Sequence, residues 1–345
     1  MTKKNKVLVT GGCGYIGSHT IVDLINHGFD VISIDNNSRS HASTLTGVHK
    51  ITGQAVQNYC VDLTDLEATR EVFKAHPDIK GIIHFAAFKS VPESVAEPIL
   101  YYKNNINSLL NVIECTREFS IPYFVFSSSC SVYGDVEDLP VDEETPLLKA
   151  ACPYAYTKQV GEQMLEDMAK LDGTVYIALR YFNPVGAHTS ALIGETPFDA
   201  PNNLIPIITQ TAIGKRDKLT IFGSDYETRD GTCIRDYIHV MDIANAHTKA
   251  FEYALAQKNS SNFEIFNLGT GTGTTVLEAI HAFEKVSKQS LNYEMGDRRE
   301  GDVEKIYADN KKAQEQLGWK TEYDVEEMMR TAWQWEQAMA EAVVK

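Results

Sequence analysis

The sequence lacks most of what would mark a membrane, secreted or nucleic-acid-binding protein. Its 345 residues hold no run of 18 apolar residues, so no membrane-spanning helix is expected. The start, Met-Thr-Lys-Lys-Asn-Lys, leads straight into a strand-like segment with no signal peptide, and a soluble cytoplasmic protein is expected. Positive charge is in deficit. Thirty-two Lys and Arg against 47 Asp and Glu give a formal net charge of -15. That balance argues against a general nucleic-acid surface, although a local arginine cluster can still hold an anionic small ligand. Cysteine is sparse. Cys13, Cys60, Cys115, Cys130, Cys152 and Cys233 form no C-x-x-C pair and no His-Cys cluster at zinc spacing. A reduced, metal-free protein is expected, with its cysteines as small apolar fillers. No low-complexity tract or internal repeat is present.

What is present begins at the N-terminus. Val7, Leu8 and Val9 run into Gly11, Gly14 and Gly17, and an apolar helical pattern follows. This is a strand, a tight turn and a helix start. Gly11 permits the turn, Gly14 lets a pyrophosphate approach the backbone, and Gly17 lets the helix pack on the strand. The helix's free N–H groups would receive the negative charge. A second strand, Asp30 to Ile34, ends at Asp35, eighteen residues after Gly17. An acid there can accept both hydroxyls of an adenosine ribose, which favours NAD over NADP.

The strand and helix rhythm continues. Strands are expected at 56–61, 81–85, 123–126 and 175–181, and helices at 15–27, 65–76, 98–118 and 154–171. Asp62 follows the third strand, where it can meet an adenine amino group or cap the next helix. Ala86 and Ala87 let the chain pass a dinucleotide, and Lys89 can reach ribose or phosphate. Asparagines 104, 105 and 107 inside a helix call for polar partners. The fold class is α/β: a doubly wound, Rossmann-type parallel sheet with a smaller mixed α/β C-terminal substrate-binding lobe. The first domain spans 1–183 and the second mainly 184–345, with late elements at about 235–270 returning to the first. Gly269 to Gly273 reads as a turn feeding a helix capped by Thr274, and a last helix begins at Asp324 with Glu327 as its capping box.

The chemistry concentrates in Pro153-Tyr154-Ala155-Tyr156-Thr157-Lys158. Tyr154 and Lys158 stand at i and i+4, one turn apart on one helix face. A free tyrosine has a pKa near 10, too high for a base at neutral pH. A lysine ammonium beside it favours the phenolate, and so does the positive nicotinamide ring. Ser129, at the end of the fifth strand, can bond the same substrate oxygen. Tyr156 has Val160 at i+4 and is a decoy. Together with the glycine cradle, this set can take a proton from an alcohol while hydride leaves its carbon.

These residues carry a resemblance that covers nearly the whole chain. GGCGYIGSH (11–19), HFAAFKSVPES (84–94), YYKNNI (101–106), FSSSCSVYG (126–134), PYAYTK (153–158), LRYFNPVGAH (179–188) and PNNL (201–204) resemble the extended short-chain dehydrogenase/reductase family. DGTCIRDYIHVMD (230–242) and RREGDVEKIYAD (298–309) are narrower, and resemble the UDP-glucose 4-epimerases within it. The resemblance implies Tyr154 as acid/base, Lys158 as its electrostatic partner and ribose anchor, and Ser129 on the sugar 4'-oxygen. It implies NAD held by Gly11, Gly14, Tyr15, Ile16, Gly17, Asp35 and Asp62. Phe85, Ala86, Lys89, Asn104, Ser127 and Tyr181 complete that set, with Tyr154 and Lys158. For the UDP-sugar it implies Lys89, Asn183, Asn203, Leu204, Arg235, Arg299 and Asp302, the arginines on diphosphate.

The implied reaction interconverts UDP-galactose and UDP-glucose through a 4-keto sugar, with NAD retained. The runner-up is a 4-epimerase preferring UDP-N-acetylhexosamines or UDP-uronic acids. A nucleotide-sugar dehydratase ranks lower, because Ser128-Ser129-Cys130-Ser131 has no acid pair, and so does a non-catalytic NAD-binding scaffold. Ile306 takes the position that is small in relatives accepting N-acetyl sugars and tyrosine in those that do not. The family is usually dimeric, which implies a homodimer through helices 98–118 and 154–171.

Overall fold

The structure, a computed structural model, describes residues 4–198, 201–299 and 303–344. At its centre is a seven-stranded sheet. Its first six strands are β1 (Lys6–Thr10), β2 (Asp30–Ile34), β3 (Gln57–Tyr59), β4 (Ile79–His84), β5 (Tyr123–Ser127) and β6 (Val175–Tyr181). The seventh, Phe263–Leu268, comes from late in the chain and lies against β6. The order is seventh-β6-β5-β4-β1-β2-β3, and every neighbouring pair is parallel. The order reverses between β1 and β4. In a doubly wound sheet, ligands bind outside the carboxyl ends of the strands at that point.

The strands inside the sheet are apolar on both sides because both faces are covered, while the edge strand β3 is polar and partly exposed. On one face Val7, Val9, Val31, Ile83, Val125 and Ile177 pack with helix α1 (Tyr15–Asn26) and the helix Val240–Leu255. On the other, Leu8, Ile32, Ile82, Phe124 and Tyr176 pack with Val72, Leu109 and Leu165 from three helices. All seven residues of β6 are buried. A separate core around Ile208, Leu219, Ile280, Phe283, Met328 and Met329 builds the smaller lobe. There the strands Leu219–Phe222 and Tyr293–Gly296 pair in parallel. The strand Ile234–Arg235 lies between Thr274–Thr275 and Lys305–Ile306.

Several boundaries differ from the sequence reading. The helix expected at 98–118 is interrupted by a π turn at Tyr102–Ile106, where Asn104 and Asn105 fall, and Asn107 opens the helix that follows. The short helix Val91–Ala96 has no counterpart in that reading; the Ser90 hydroxyl caps it by accepting from Glu93 N. The helix Val240–Leu255 is likewise additional, and its first turn holds buried Asp242. Thr275, not Thr274, caps the helix Val276–Ser287, in a capping box with Glu278. Asp324 Oδ1 does accept from Glu327 N at 2.9 Å, while the Glu327 carboxylate pairs with Arg330. Among the described residues no helix is long and apolar enough to cross a membrane.

Candidate active site

The glycine turn sits at the carboxyl end of β1. Gly11 has φ +71°, and its N–H reaches Ile34 O at 2.8 Å. A Cβ on Gly17 would lie 2.2 Å from Gly11 O, so the helix can approach the turn only through glycine. Gly14 is the N-cap of α1 and offers no side-chain cap. A Cβ there would meet nothing within 4 Å except Gly11 O at 3.1 Å. The result is an open cradle of helix N–H groups, which fits a pyrophosphate. Tyr15 and Ile16 begin the helix, and Tyr15 OH donates to Gly186 O at 2.6 Å.

Asp35 closes one side of this cradle. Its Oδ2 accepts from Cys13 N at 3.0 Å, and its Oδ1 from Asn37 N and Ser40 Oγ at 2.9 and 2.7 Å. Asp65, not Asp62, caps the helix Leu66–Ala75. Asp62 instead accepts from Thr64 and, through Asn36 Nδ2 at 3.2 Å, joins the loop that follows Asp35. Burial alone would raise its pKa; those hydrogen bonds win and hold it below the usual carboxylate range. Phe85 and Ala86 run directly past Gly11, where a Cβ would lie 3.0 Å from Ala86 N. These groups fit a dinucleotide.

Tyr154 and Lys158 lie on the helix Pro153–Ala169, where Cys152 Sγ accepts from Ala155 N and proline occupies the first position. Both are buried. The Lys158 ammonium lies 5.9 Å from the Tyr154 ring centroid and donates to Ser127 O at 2.6 Å. Burial lowers its pKa to about 8, against an opposing pull from Glu162. Burial also raises the Tyr154 pKa, with Tyr181 adding to it and Ser129 pulling it down. Burial thus favours the neutral phenol here, and the Lys158 head is turned to a backbone carbonyl. Ser127 Oγ and Tyr181 OH are 2.6 Å apart beside this pair. Ser129 caps the turn Cys130–Tyr133, its Oγ accepting from Ser131 N at 3.2 Å. Tyr156 is 49% exposed, which removes it from the site.

The other expected residues have partners within the protein or positions of their own. Lys89 Nζ bonds Glu195 Oε1 at 2.9 Å, and Asn203 Nδ2 reaches the same oxygen at 3.5 Å. Asn104 Nδ2 bonds Asn105 Oδ1, which in turn receives Phe88 N. Asn183 lies on a strand paired with Tyr237–His239, and Leu204 opens the helix Leu204–Ala212. Arg235 and Ile306 are register partners on adjacent strands. Arg299 is exposed, with its guanidinium 6.0 Å from the Phe222 ring centroid. Asp302 lies outside the described residues. Cys13 and Cys130 are pushed up to about 12, chiefly by burial, which agrees with unreactive fillers. Among the described residues no His, Cys, Asp and Glu group could hold a metal.

Comparison with known proteins narrows this site. A family model described as GDP-mannose 4,6 dehydratase matches residues 8–332. The chain is 47% identical over 331 residues to a UDP-glucose 4-epimerase of Bacillus subtilis, covering 96% of each chain. The chain belongs to the UDP-glucose 4-epimerase family. A UDP-glucose 4-epimerase from Stenotrophomonas maltophila, solved with bound NAD and formylated UDP-arabinopyranose, superposes with a TM-score of 0.95 at 41% identity. That match covers 99% of this chain and 100% of the other. One from Bifidobacterium longum, in complex with NAD+ and UDP, gives 0.91 at 41% identity, over 97% and 98% of the two chains. The family model is thus broader than the activity its description names, and the serine segment of this epimerase-family chain carries no dehydrating acid pair.

Two features go beyond the sequence reading. The second glycine-rich turn, Gly269–Gly273, is filled from within: Asp236 accepts from Thr270 N at 2.7 Å, Gly271 N at 3.2 Å and Ala308 N at 3.1 Å. Behind Ser128 lies a buried group of Glu162, Arg180 and Tyr133. An arginine within the otherwise apolar β6 was the available signal, because a buried guanidinium demands a carboxylate.

Proposed function

We infer that the protein interconverts UDP-galactose and UDP-glucose by inverting C4, with NAD as its resident cofactor. What supports this reading is that Lys158 and Tyr154 meet Ser127 and Ser129 at the carboxyl end of β5 while the glycine turn stands at the carboxyl end of β1, on either side of the strand-order reversal. NAD supplies the acceptor and donor of the C4 hydride. Gly11, Gly14 and Gly17 form its pyrophosphate cradle, with Tyr15 and Ile16 at the helix start. Asp35 takes the ribose hydroxyls and Asp62 the adenine edge. Phe85, Ala86, Asn104, Ser127 and Tyr181 line its path.

Tyr154 moves the 4'-hydroxyl proton, with Ser129 on the same oxygen. Burial holds Tyr154 as a neutral phenol, the form that returns a proton to the 4-keto oxygen. Proton removal draws on the Lys158 ammonium and the charge of the oxidised cofactor. Arg235 and Arg299 take the diphosphate and Asp302 the uridine ribose. Asn183, Asn203 and Leu204 edge the sugar, and Lys89 faces the same cleft. Firm hold on UDP with loose hold on the hexose lets the keto sugar turn before hydride returns. Ile306, buried with Phe182 and packed against Cys130, walls the sugar side and sets its size.

Val95, Ile99, Leu100, Leu110 and Tyr156 are exposed on helices within 91–118 and 153–169. They support a homodimer through these helices. Six free cysteines support a reducing cytoplasmic setting. Assay of purified protein on UDP-galactose, UDP-N-acetylglucosamine and UDP-glucuronate tests the function. Turnover of UDP-galactose, with reduced-nicotinamide absorbance appearing on addition of UDP-sugar, is expected. Failure on UDP-galactose, whether or not the other two sugars turn over, would reject it.

A further inference from the structure

Glu162 and Arg180 form a buried ion pair that the chemistry above does not use. Glu162 stands on the same helix as Tyr154 and Lys158, two turns and one turn further on, and Arg180 stands in β6. Their side chains are 5% and 3% exposed. Arg180 Nη2 meets Glu162 Oε2 at 2.6 Å and Nε meets Oε1 at 2.9 Å, a two-pronged contact. Such a pair gives little net stability, because desolvation cancels most of the attraction. Its contacts point toward the site. Ser128 Oγ donates to Glu162 Oε1 at 2.5 Å, while Lys158 Nζ holds Ser127 O at 2.6 Å. Successive turns of one helix therefore grip successive residues of the segment that ends in Ser129. On the far side, Arg180 Nη1 donates to Tyr133 OH, which donates to Asn267 Oδ1 at 2.6 Å.

We propose that Glu162 is a positioning residue of this site: one helical turn beyond Lys158, it fixes Ser128, and thereby Ser129, opposite Tyr154. The inference rests on the Tyr154 and Lys158 reading given above. The groups that face Lys158 are few. From its own helix come Tyr154 and Glu162, and from β5 come the Ser127 carbonyl and the Phe126 ring, 4.9 Å away. From β4 comes His84, held neutral at about 3 by burial and by Lys158 itself. Glu162 is faced by Arg180, Ser128 and Lys158, and Arg180 also feels Tyr133 and the more distant Glu143. Glu162 is thus the carboxylate opposing the burial of Lys158.

The test is a pH profile of kcat and KM for UDP-galactose on the NAD-loaded enzyme, from neutral to alkaline pH. Wild type and Tyr154→Phe run beside it. An active wild type with an inactive Tyr154→Phe keeps the base assignment, so the remaining variants bear on Glu162 alone. Glu162→Gln is expected to lower kcat about tenfold with KM within about twofold. Its alkaline limb should move down by about one pH unit, because Lys158 loses its supporting charge. Ser128→Ala, which keeps the ion pair, should lower kcat but leave the limb in place. Should Glu162→Gln fail to fold with Arg180 unpaired, the volume-matched Glu162→Met/Arg180→Met removes both charges and is expected to show the same fall in kcat. Wild-type kcat and limb in either Glu162 variant, or an unchanged kcat in Ser128→Ala, would overturn the proposal.

Discussion

Tyr154 occupies the second position of its helix, and the Ser129 hydroxyl is the neighbour that pulls its proton affinity down. Tyr154→Phe keeps the ring and its packing but removes the oxygen. It is expected to fold, retain NAD and UDP, and lose nearly all turnover, at least ~10²-fold, as expected for a proton-transfer group. Retained cofactor can be read from the absorbance of the purified protein and turnover from a coupled assay; comparable kcat would move the base elsewhere. Arg299, exposed beside Phe222, is proposed to hold the substrate diphosphate. Arg299→Ala should raise KM for UDP-galactose roughly tenfold by removing a charged hydrogen bond, with kcat nearly intact. Steady-state kinetics with an unchanged KM would place the diphosphate on other residues. The tyrosine, lysine and glycines are legible in the sequence because their spacing along one chain segment states their geometry. Glu162 and Arg180 are not, because they are 18 residues apart and meet only once helix and strand pack. The Lys89 contact with Glu195, 106 residues away, is hidden for the same reason.

At the scale of elements, periodicity finds the strands that are buried on both faces. β2 and β6 have the expected limits, Asp30–Ile34 and Val175–Tyr181. The helix Val240–Leu255 escapes such a reading because buried Asp242, His247 and Thr248 interrupt its apolar face. That helix carries a buried acid in its first turn. Asp242 accepts from Glu322 N at 3.0 Å and Tyr323 N at 3.3 Å, yet burial raises its pKa to about 7. A folded state that holds this proton more tightly than the unfolded chain is stabilised at low pH. The contribution is complete below the ordinary aspartate range and is lost as pH rises through about 7. Thermal unfolding followed between mildly acidic and mildly alkaline buffers should show Tm falling across that window. The slope should flatten in Asp242→Asn, and an equal slope in the variant would assign the proton to another group.

For the whole molecule, the apolar side chains left on two neighbouring helices predict the assembly. Ile99 is 67% exposed and Leu110 45% exposed, a poor arrangement for a lone subunit. Light scattering should give a dimer for the wild-type protein and a monomer for Ile99→Glu with unchanged circular dichroism. A wild-type monomer would remove the proposed contact. The first lobe's order of strands and helices is plain in the sequence, because each unit is local. The path of the chain beyond residue 183 is harder, since its short strands pair with distant partners and leave no periodic trace. That path closes on itself. After only part of the smaller lobe the chain comes back, Phe263–Leu268 pairs with β6 through six consecutive residues, and the chain then leaves again to complete that lobe with Ile280, Phe283, Met328 and Met329. The two lobes are therefore stitched rather than strung. A chain cut at residue 183 would strip β6 of its outer neighbour and leave a raw, water-averse margin along six residues.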